Sequence, residues 1–118
     1  MKRIMTIQDI SCIGKCSLTV ALPIISAMGV ETAIVPTAVL STHTNFSNFT
    51  FRDLTDDMPS IKDVWVKEGF KFDAIYTGYI GTPEQIDIVS DYFKTFNNPH
   101  SYIIVDPAMA DNGKLYTG

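Results

Sequence analysis

The sequence predicts an α/β fold of three layers, in which helices flank a mostly parallel sheet. Short apolar segments of β type alternate along the chain with longer segments of helical period, which is typical of βαβ units. No repeat, low-complexity tract or linker rich in Gly and Ser divides the chain. A length of 118 residues with 46% hydrophobic and 19% charged residues suits one globular domain. We therefore expect one domain with a single sheet.

Charge and apolar runs exclude several classes of protein. The nine basic and thirteen acidic residues are scattered and give a net charge of -4, so no nucleic-acid footprint is visible. No apolar run approaches the roughly 18 residues that cross a membrane, and Met1-Lys2-Arg3 leads directly into a strand-like segment. We therefore predict a cytoplasmic protein that binds neither nucleic acid nor membrane.

The first part of the chain predicts a strand, a loop, a helix and a second strand. Ser17 is a plausible N-cap and Gly29 a stop for the helix, although Pro23 favours a kink or a later start. Pro36 favours an edge position or an irregularity in the second strand. The predicted segments are strand 3–8, loop 9–16, a helix with its apolar face at Leu18, Ala21, Leu22, Ile25 and Met28, and strand 32–40.

The rest of the chain predicts a long loop followed by alternating helices and strands. A loop as long as 41–56 is usually functional, and it has room for a short strand. Gly69 should close the next helix, and Pro83 suits the first position of the last one. The predicted segments are helix 58–68, strand 74–79, helix 82–96 and strand 102–105.

Polar side chains cluster where the predicted strands end. Ligands of open α/β sheets bind beyond the carboxyl ends of the strands, so one ligand could touch all of these residues. Each alone is more often a turn residue, and their convergence is the stronger signal. The candidates are Asp9, the run Ser41-Thr42-His43-Thr44, the run Thr77-Gly78-Tyr79, Asp106 and Asp111.

Other candidate sites are weaker. The run 13–17 resembles the end of a phosphate-binding P-loop, but that pattern requires Gly where Asp9 stands and Ser or Thr where Cys16 stands. Cys12, Cys16 and His43 could supply three zinc ligands but lack an evident fourth. The phenylalanines at 46, 49 and 51 could line a slot for a planar ligand, but we expect them to pack on the core.

Five motifs, in order along nearly the whole chain, resemble those of the pyridoxal (pyridoxine, pyridoxamine) kinases of the ribokinase-like superfamily. The segment 50–57 also resembles one found in bacterial pyridoxamine kinase-type sequences. The motifs are Ile7-Gln8-Asp9, Gly14-Lys15-Cys16-Ser17-Leu18-Thr19, Ser41-Thr42-His43-Thr44, Thr77-Gly78-Tyr79-Ile80-Gly81 and Val105-Asp106-Pro107-Ala108-Met109-Ala110-Asp111.

The resemblance implies a homodimeric enzyme that phosphorylates the 5'-hydroxymethyl group of a B6 vitamer with ATP and Mg²⁺ in pyridoxal 5'-phosphate salvage. It implies that Asp9, where the family often has Ser, faces the pyridine ring. By the same resemblance, His43, Thr44 and Tyr79 border the vitamer, and Asp106 and Asp111 lie near the ATP phosphates and the metal. Phosphoryl transfer depends mainly on positioning the substrates and neutralising the charge of the phosphates. Carboxylates at strand ends that can hold a hydrated Mg²⁺ are therefore expected near the phosphoryl donor.

One departure from the family concerns its second half, which carries a Gly-x-Gly-Asp-like anion hole, the catalytic base and the adenine-binding loops. The sequence to Gly118 contains no such motif. The resemblance therefore implies that the chain is the amino-terminal part of a single ribokinase-like kinase domain, with no catalytic base of its own and no activity alone.

Three alternatives remain open at this point. A hydroxymethylpyrimidine kinase belongs to the same superfamily and takes a similar substrate. A receiver-like signalling domain has a suitable length and alternation, but this chain has one acid, Asp9, after the first strand and no matching Lys. A non-catalytic remnant would bind a ligand or partner without turnover.

Overall fold

A computed structural model describes residues 1–107, 110–111 and 113–115, of which 110 and 111 are described by their backbone alone. None of the helices in the described residues has the length and apolar character of a membrane span. A short 3₁₀ turn at Thr55–Asp57 precedes the second helix. The other elements are β1 (Arg3–Ser11), α1 (Leu18–Ala27), β2 (Glu31–Leu40), β3 (Phe51–Asp53), α2 (Met58–Glu68), β4 (Ala74–Thr77), α3 (Pro83–Phe96), β5 (Tyr102–Val105), β6 (Ala110–Asp111) and β7 (Lys114–Leu115).

The main sheet has five strands in the order β3-β2-β1-β4-β5. Strand β1 pairs in parallel with β2 and β4, and β4 pairs in parallel with β5, whereas β3 runs antiparallel to β2. After β1, the chain passes through α1 to β2 on one side of β1. It then passes through β3 and α2 to β4 on the other side of β1. Crossover connections between parallel strands are right-handed almost without exception, so α1 lies on one face of the sheet. Helices α2 and α3 precede strands placed in the opposite direction across the sheet, and they lie on the other face. The predicted three-layer α/β fold is confirmed.

The hydrophobic core lies between the sheet and the pair α2 and α3. Alternate residues of the strands point into it, because successive side chains of a strand face opposite sides. The hydroxyl of Tyr92 donates a 2.5 Å hydrogen bond to the carbonyl oxygen of Met58, which ties α3 to the start of α2. The buried core comprises Met5, Ile7, Val35, Met58, Phe72, Ile75, Val89, Tyr92 and Phe96.

Strand β1 is longer than predicted, and the reason is a register shift. Gln8 pairs with Pro36 whereas Ile10 pairs with Val39, so two residues of β2 lie opposite Asp9 alone. Beyond this bulge, β1 and β2 pair again, and β1 continues to Ser11. The irregularity predicted at Pro36 is confirmed, and the prediction that Asp9 begins a loop is wrong.

Helix α1 differs from its predicted pattern at both ends. Ser17 precedes the helix, but its side chain makes no capping hydrogen bond. Leu18 is buried, yet Met28 is 75% exposed, so the predicted buried face ends before Met28. Pro23 lies inside the helix without ending it.

The remaining elements follow the predictions closely, with differences at the end of β4 and in the packing of three phenylalanines. Helix α2 and strand β5 have the predicted bounds, and Gly69 closes α2 in the left-handed conformation. Strand β4 ends at Thr77, so Tyr79 lies in the following loop. The long loop contains β3 and the 3₁₀ turn. The phenylalanines at 46, 49 and 51 are about half exposed and do not pack on the core as expected. Phe51 lies in β3, which is an edge strand.

Candidate functional site

The carboxyl ends of the parallel strands form one edge of the sheet, and backbone hydrogen bonds continue across it. The amide of Gly78 donates to the carbonyl oxygen of Ile7 at 3.0 Å, and the amide of Asp106 donates to that of Thr77 at 3.1 Å. These bonds align the segments that follow β4 and β5 with β1. The edge therefore presents Tyr79 and Asp106 from neighbouring segments.

The loops after β1 and β2 are also joined by their backbones. The amide of Ile13 donates to the carbonyl oxygen of Ser41, and the amide of His43 donates back to that of Ile13. This pairing holds the β1–α1 loop beside the segment that carries His43 and Thr44.

His43 packs directly on Gly14. A Cβ atom at Gly14 would lie 2.3 Å from Cδ2 of His43, and Gly14 has a φ of +120°. Both facts require glycine at this position. The imidazole is held further by the amide of Asn45, which donates to Nδ1 at 3.2 Å, and by the ring of Phe46 at 4.7 Å. Thr44 is exposed beside it.

A second close approach joins β1 to the loop after β4. A Cβ atom at Gly78 would lie 2.9 Å from three side-chain atoms of Gln8, so a larger residue would displace that side chain. Gln8 is buried, and its Nε2 donates to the hydroxyl of Thr6 at 2.9 Å. The glycine thus lets the loop that leads to Tyr79 lie flat against β1.

The structure places the predicted residues as follows. Asp9 is half-buried within β1 at the bulge, and Tyr79 is half-buried two residues beyond β4. Asp106 is exposed directly after β5. The backbone of Asp111 lies in β6, and its side chain is outside the described part of the chain. Asp9 therefore lies in β1, and Tyr79 and Asp106 follow the neighbouring strands β4 and β5. His43 lies in the loop after β2, which pairs with β1 on its other side.

A hydrogen-bonded group behind this edge was missed at the sequence level. Gln85 is 3% exposed, and its amide group binds Gly81, Thr37 and Thr55. The available signal was the run Thr82-Pro83-Glu84-Gln85, because Thr-x-x-Gln is the pattern of a helix capping box.

Next to this group is an acidic depression of about 310 Å³. The hydroxyl and amide of Thr55 donate to Asp53, and these bonds hold the pKa of the Asp53 carboxyl below its usual value. None of the predicted site residues lines this depression. It is lined by Asp53, Thr55, Asp56, Thr82 and Glu84.

The described residues contain no cluster of three or more His, Cys, Asp or Glu side chains that could hold a metal ion. A protein-only metal cage is therefore not visible in this part of the chain, and the zinc site considered from Cys12, Cys16 and His43 finds no support. Mg²⁺ needs fewer protein ligands, since one or two carboxylates together with waters and substrate phosphates are enough to bind it. The exposed carboxylate of Asp106 fits that limited role.

The solved structures that this chain resembles are described as kinases. No protein-family model matches the chain. A Bacteroides thetaiotaomicron protein, provisionally described as a phosphomethylpyrimidine kinase and crystallised with pyridoxal, is 53% identical over 98% of this chain with a TM-score of 0.94. The pyridoxal kinase of Lactobacillus plantarum is 30% identical over 100% of this chain with a TM-score of 0.88.

A more distant structure shares the fold. The Leishmania donovani pyridoxal kinase in complex with ADP and pyridoxamine is 19% identical, with a TM-score of 0.84 over 100% of this chain. The chain spans 41%, 42% and 43% of the lengths of these three proteins, respectively. In sequence and fold, the chain therefore resembles the pyridoxal kinases of the ribokinase-like superfamily over about two-fifths of their length.

Proposed function

We propose that residues 1–118 form the amino-terminal part of a single kinase domain that phosphorylates the 5'-hydroxymethyl group of a B6 vitamer with MgATP. The observation that carries the proposal is the 53% identity, over 98% of this chain, to a protein crystallised with pyridoxal. The strand-end edge supports it, because it gathers polar and aromatic groups where α/β folds bind their ligands. Salvage of pyridoxal 5'-phosphate is the corresponding cellular role.

In this proposal the edge binds and orients the vitamer. The half-buried ring of Tyr79 offers an aromatic surface to the pyridine ring, and His43 and Thr44 border it from the other side. The half-buried carboxylate of Asp9 can accept a hydrogen bond from a protonated ring nitrogen or from the 3-hydroxyl group. Holding the planar ring on several strands limits its freedom before phosphoryl transfer.

The nucleotide side of the proposal involves Asp106 and Asp111. The position of Asp106 at the carboxyl end of β5 suits a carboxylate that shares Mg²⁺ with the ATP phosphates, and Mg²⁺ there would neutralise charge on the transferring group. Asp111 is assigned to the same role by its motif alone. We propose that the base and the anion hole belong to sequence outside these 118 residues.

A second candidate is a hydroxymethylpyrimidine kinase, because the 53% identical protein carries a provisional description as a phosphomethylpyrimidine kinase. Both substrates are heteroaromatic rings with a hydroxymethyl group, and both kinases have the same fold. Measured affinities therefore distinguish the two functions better than the fold does. Titrating the chain with pyridoxal and, separately, with hydroxymethylpyrimidine compares the two directly. Tighter binding of hydroxymethylpyrimidine would overturn the B6 assignment.

Replacing Tyr79 by Ala tests the proposed vitamer side. We expect the Kd for pyridoxal to rise about tenfold, because an aromatic contact contributes about 0.5–1.5 kcal/mol beyond the area it buries. Tyr102→Ala is the matched control, since Tyr102 is a 72% exposed tyrosine at the opposite end of β5. Isothermal titration calorimetry measures both. An equal Kd in wild type and Tyr79→Ala would remove Tyr79 from the site.

A further inference from the structure

The side chain of Gln85 joins three separate segments behind the strand-end edge. Its Oε1 accepts from the amide of Gly81 at 3.0 Å. Its Nε2 donates to the carbonyl oxygen of Thr37 at 3.3 Å and to the hydroxyl of Thr55 at 2.9 Å. Gln85 lies in the first turn of α3, so one buried side chain links the loop after β4 to β2 and to the turn before α2.

The polarity of these contacts defines the residue type. A backbone amide can only donate and a backbone carbonyl can only accept, so this position needs one acceptor and one donor at fixed places. A glutamine amide supplies both. A glutamate would keep the bond to Gly81 but lose the donor to Thr37. A methionine of similar length would lose every one of these hydrogen bonds.

Helix capping explains only part of this arrangement. The amide of Gln85 donates to the hydroxyl of Thr82, the N-cap residue, at 3.1 Å. In a capping box the glutamine side chain would return to the amide of the N-cap residue itself. Here it reaches Gly81, one residue earlier, and its Nε2 is directed away from the helix to Thr37 and Thr55. The side chain therefore orders the loop as well as the helix end.

The ordered loop carries Tyr79. A Cβ atom at Gly81 would lie 3.5 Å from Cε1 of Tyr79 and 3.8 Å from Oε1 of Gln85. The ring edge of Tyr79 and the amide oxygen of Gln85 thus meet around the same glycine. Gln85 is hydrogen-bonded to Gly81, and the Tyr79 ring lies beside the same glycine.

We propose that Gln85 is a positioning residue that holds the Tyr79 loop in its ligand-binding conformation through Gly81. This inference rests on the proposed function, since it assigns Tyr79 to the vitamer. It also connects the two sides of the site, because Thr37 lies in β2, whose end leads into the segment with His43 and Thr44. Preorganisation of this kind raises affinity by removing the cost of ordering the loop at binding.

Two measurements on the full chain test the proposal. Amide hydrogen exchange followed by NMR reports the bond from Gly81 directly, and calorimetry reports the Kd for pyridoxal. In wild type we expect slow exchange at Gly81. In Gln85→Met we expect faster exchange there and a rise in Kd of about tenfold, because buried polar partners are left without their hydrogen bonds.

Val89→Ala is the matched control for lost stability. Val89 lies one turn further along α3 and is 3% exposed in the core, so its truncation destabilises the fold without touching Gly81. We expect its exchange at Gly81 and its Kd for pyridoxal to match wild type at a temperature where both are folded. A similar loss of affinity in Val89→Ala and Gln85→Met would overturn the positioning role.

The outcomes separate this inference from the proposed function. If wild type binds no pyridoxal, the proposed function is wrong and the inference falls with it. If wild type binds pyridoxal and Gln85→Met binds equally well, only the inference is wrong. Should Gln85→Met fail to fold, fast exchange at Gly81 in wild type would by itself overturn the inference, and slow exchange that slows further with pyridoxal would support it.

Discussion

At the scale of single residues, two glycines let side chains at or near the candidate site lie close to the backbone. Gly14 admits the ring of His43, and Gly78 admits the side chain of Gln8. Only Gly14 also has a positive φ, so it combines a steric and a conformational requirement. The position of His43 therefore depends on a residue that carries no functional group.

Gly14→Ala should destabilise the chain and displace His43. The positive φ costs an alanine about 1–3 kcal/mol, and the added methyl group would also overlap Cδ2 of His43. Gly29→Ala is the matched control, because Gly29 has a φ of +79° but nothing within 4 Å of an added Cβ. Urea denaturation gives both free energies of unfolding. If removing the His43 ring in Gly14→Ala restores no stability, the overlap with His43 is not the cause.

The lowered pKa of Asp53 leads us to expect that the stability of the fold depends on pH. Hydrogen bonds from Thr55 lower the pKa of Asp53 in the folded state, so the folded protein favours the carboxylate. That contribution is present above the unfolded pKa of about 3.9 and is lost as the pH falls through the lower folded value. We expect the free energy of unfolding to differ between wild type and Asp53→Asn at pH 7, and the difference to shrink as the pH approaches 2. A difference that is constant with pH would contradict this assignment.

At the scale of elements, α1 and α3 begin differently although both follow a hydroxyl residue. Thr82 has extended backbone, and its hydroxyl accepts from the amide of Gln85. Ser17 has a φ of 50° and makes no side-chain cap, and the neighbouring Thr19 hydroxyl contacts the carbonyl oxygens of Ser11 and Cys16. The β1–α1 loop thus determines the start of α1 through its tertiary contacts.

Thr82→Ala and Ser17→Ala should therefore have different effects. Loss of a working N-cap costs about 1 kcal/mol, and we expect that loss for Thr82→Ala only. Ser17→Ala should change the free energy of unfolding by a few tenths of a kcal/mol, since no hydrogen bond from its side chain to the helix is removed. Equal losses in urea denaturation would contradict the observed caps.

At the scale of the whole molecule, burial is uneven across the sheet. Strands β1 and β2 lie between α1 and the α2–α3 pair, whereas all four residues of β5 are exposed, at 72%, 40%, 50% and 56% along the strand. Strand β5 is also an edge of its sheet. An apolar edge strand exposed on both faces favours pairing with another chain.

We expect the isolated chain to associate in a concentration-dependent way through β5. Ile104→Lys should shift it toward monomer, because a charge on an exposed edge opposes strand pairing. Val64→Lys is the matched control, since Val64 is 55% exposed on α2, away from that edge. Light scattering after size-exclusion chromatography measures the mass. A wild-type chain that stays monomeric at high concentration would refute the prediction.

The local pattern of the sequence by itself determined the order of helices and strands. Helix α2 and strand β5 have the predicted bounds because Gly69 and the Asp106-Pro107 pair stop them within the chain. The motif resemblance likewise predicted the kinase fold, because the motifs depend on residue types at fixed spacings.

Long-range contacts decided what the local pattern left undetermined. The bulge that places Asp9 inside β1 arises from pairing with β2, and the packing of His43 on Gly14 joins two loops distant in sequence. The role of Gln85 depends on Thr37 and Thr55, which lie 48 and 30 residues away. Such contacts form only when the sheet assembles, since hydrogen bonds between distant segments leave no periodic pattern in the sequence.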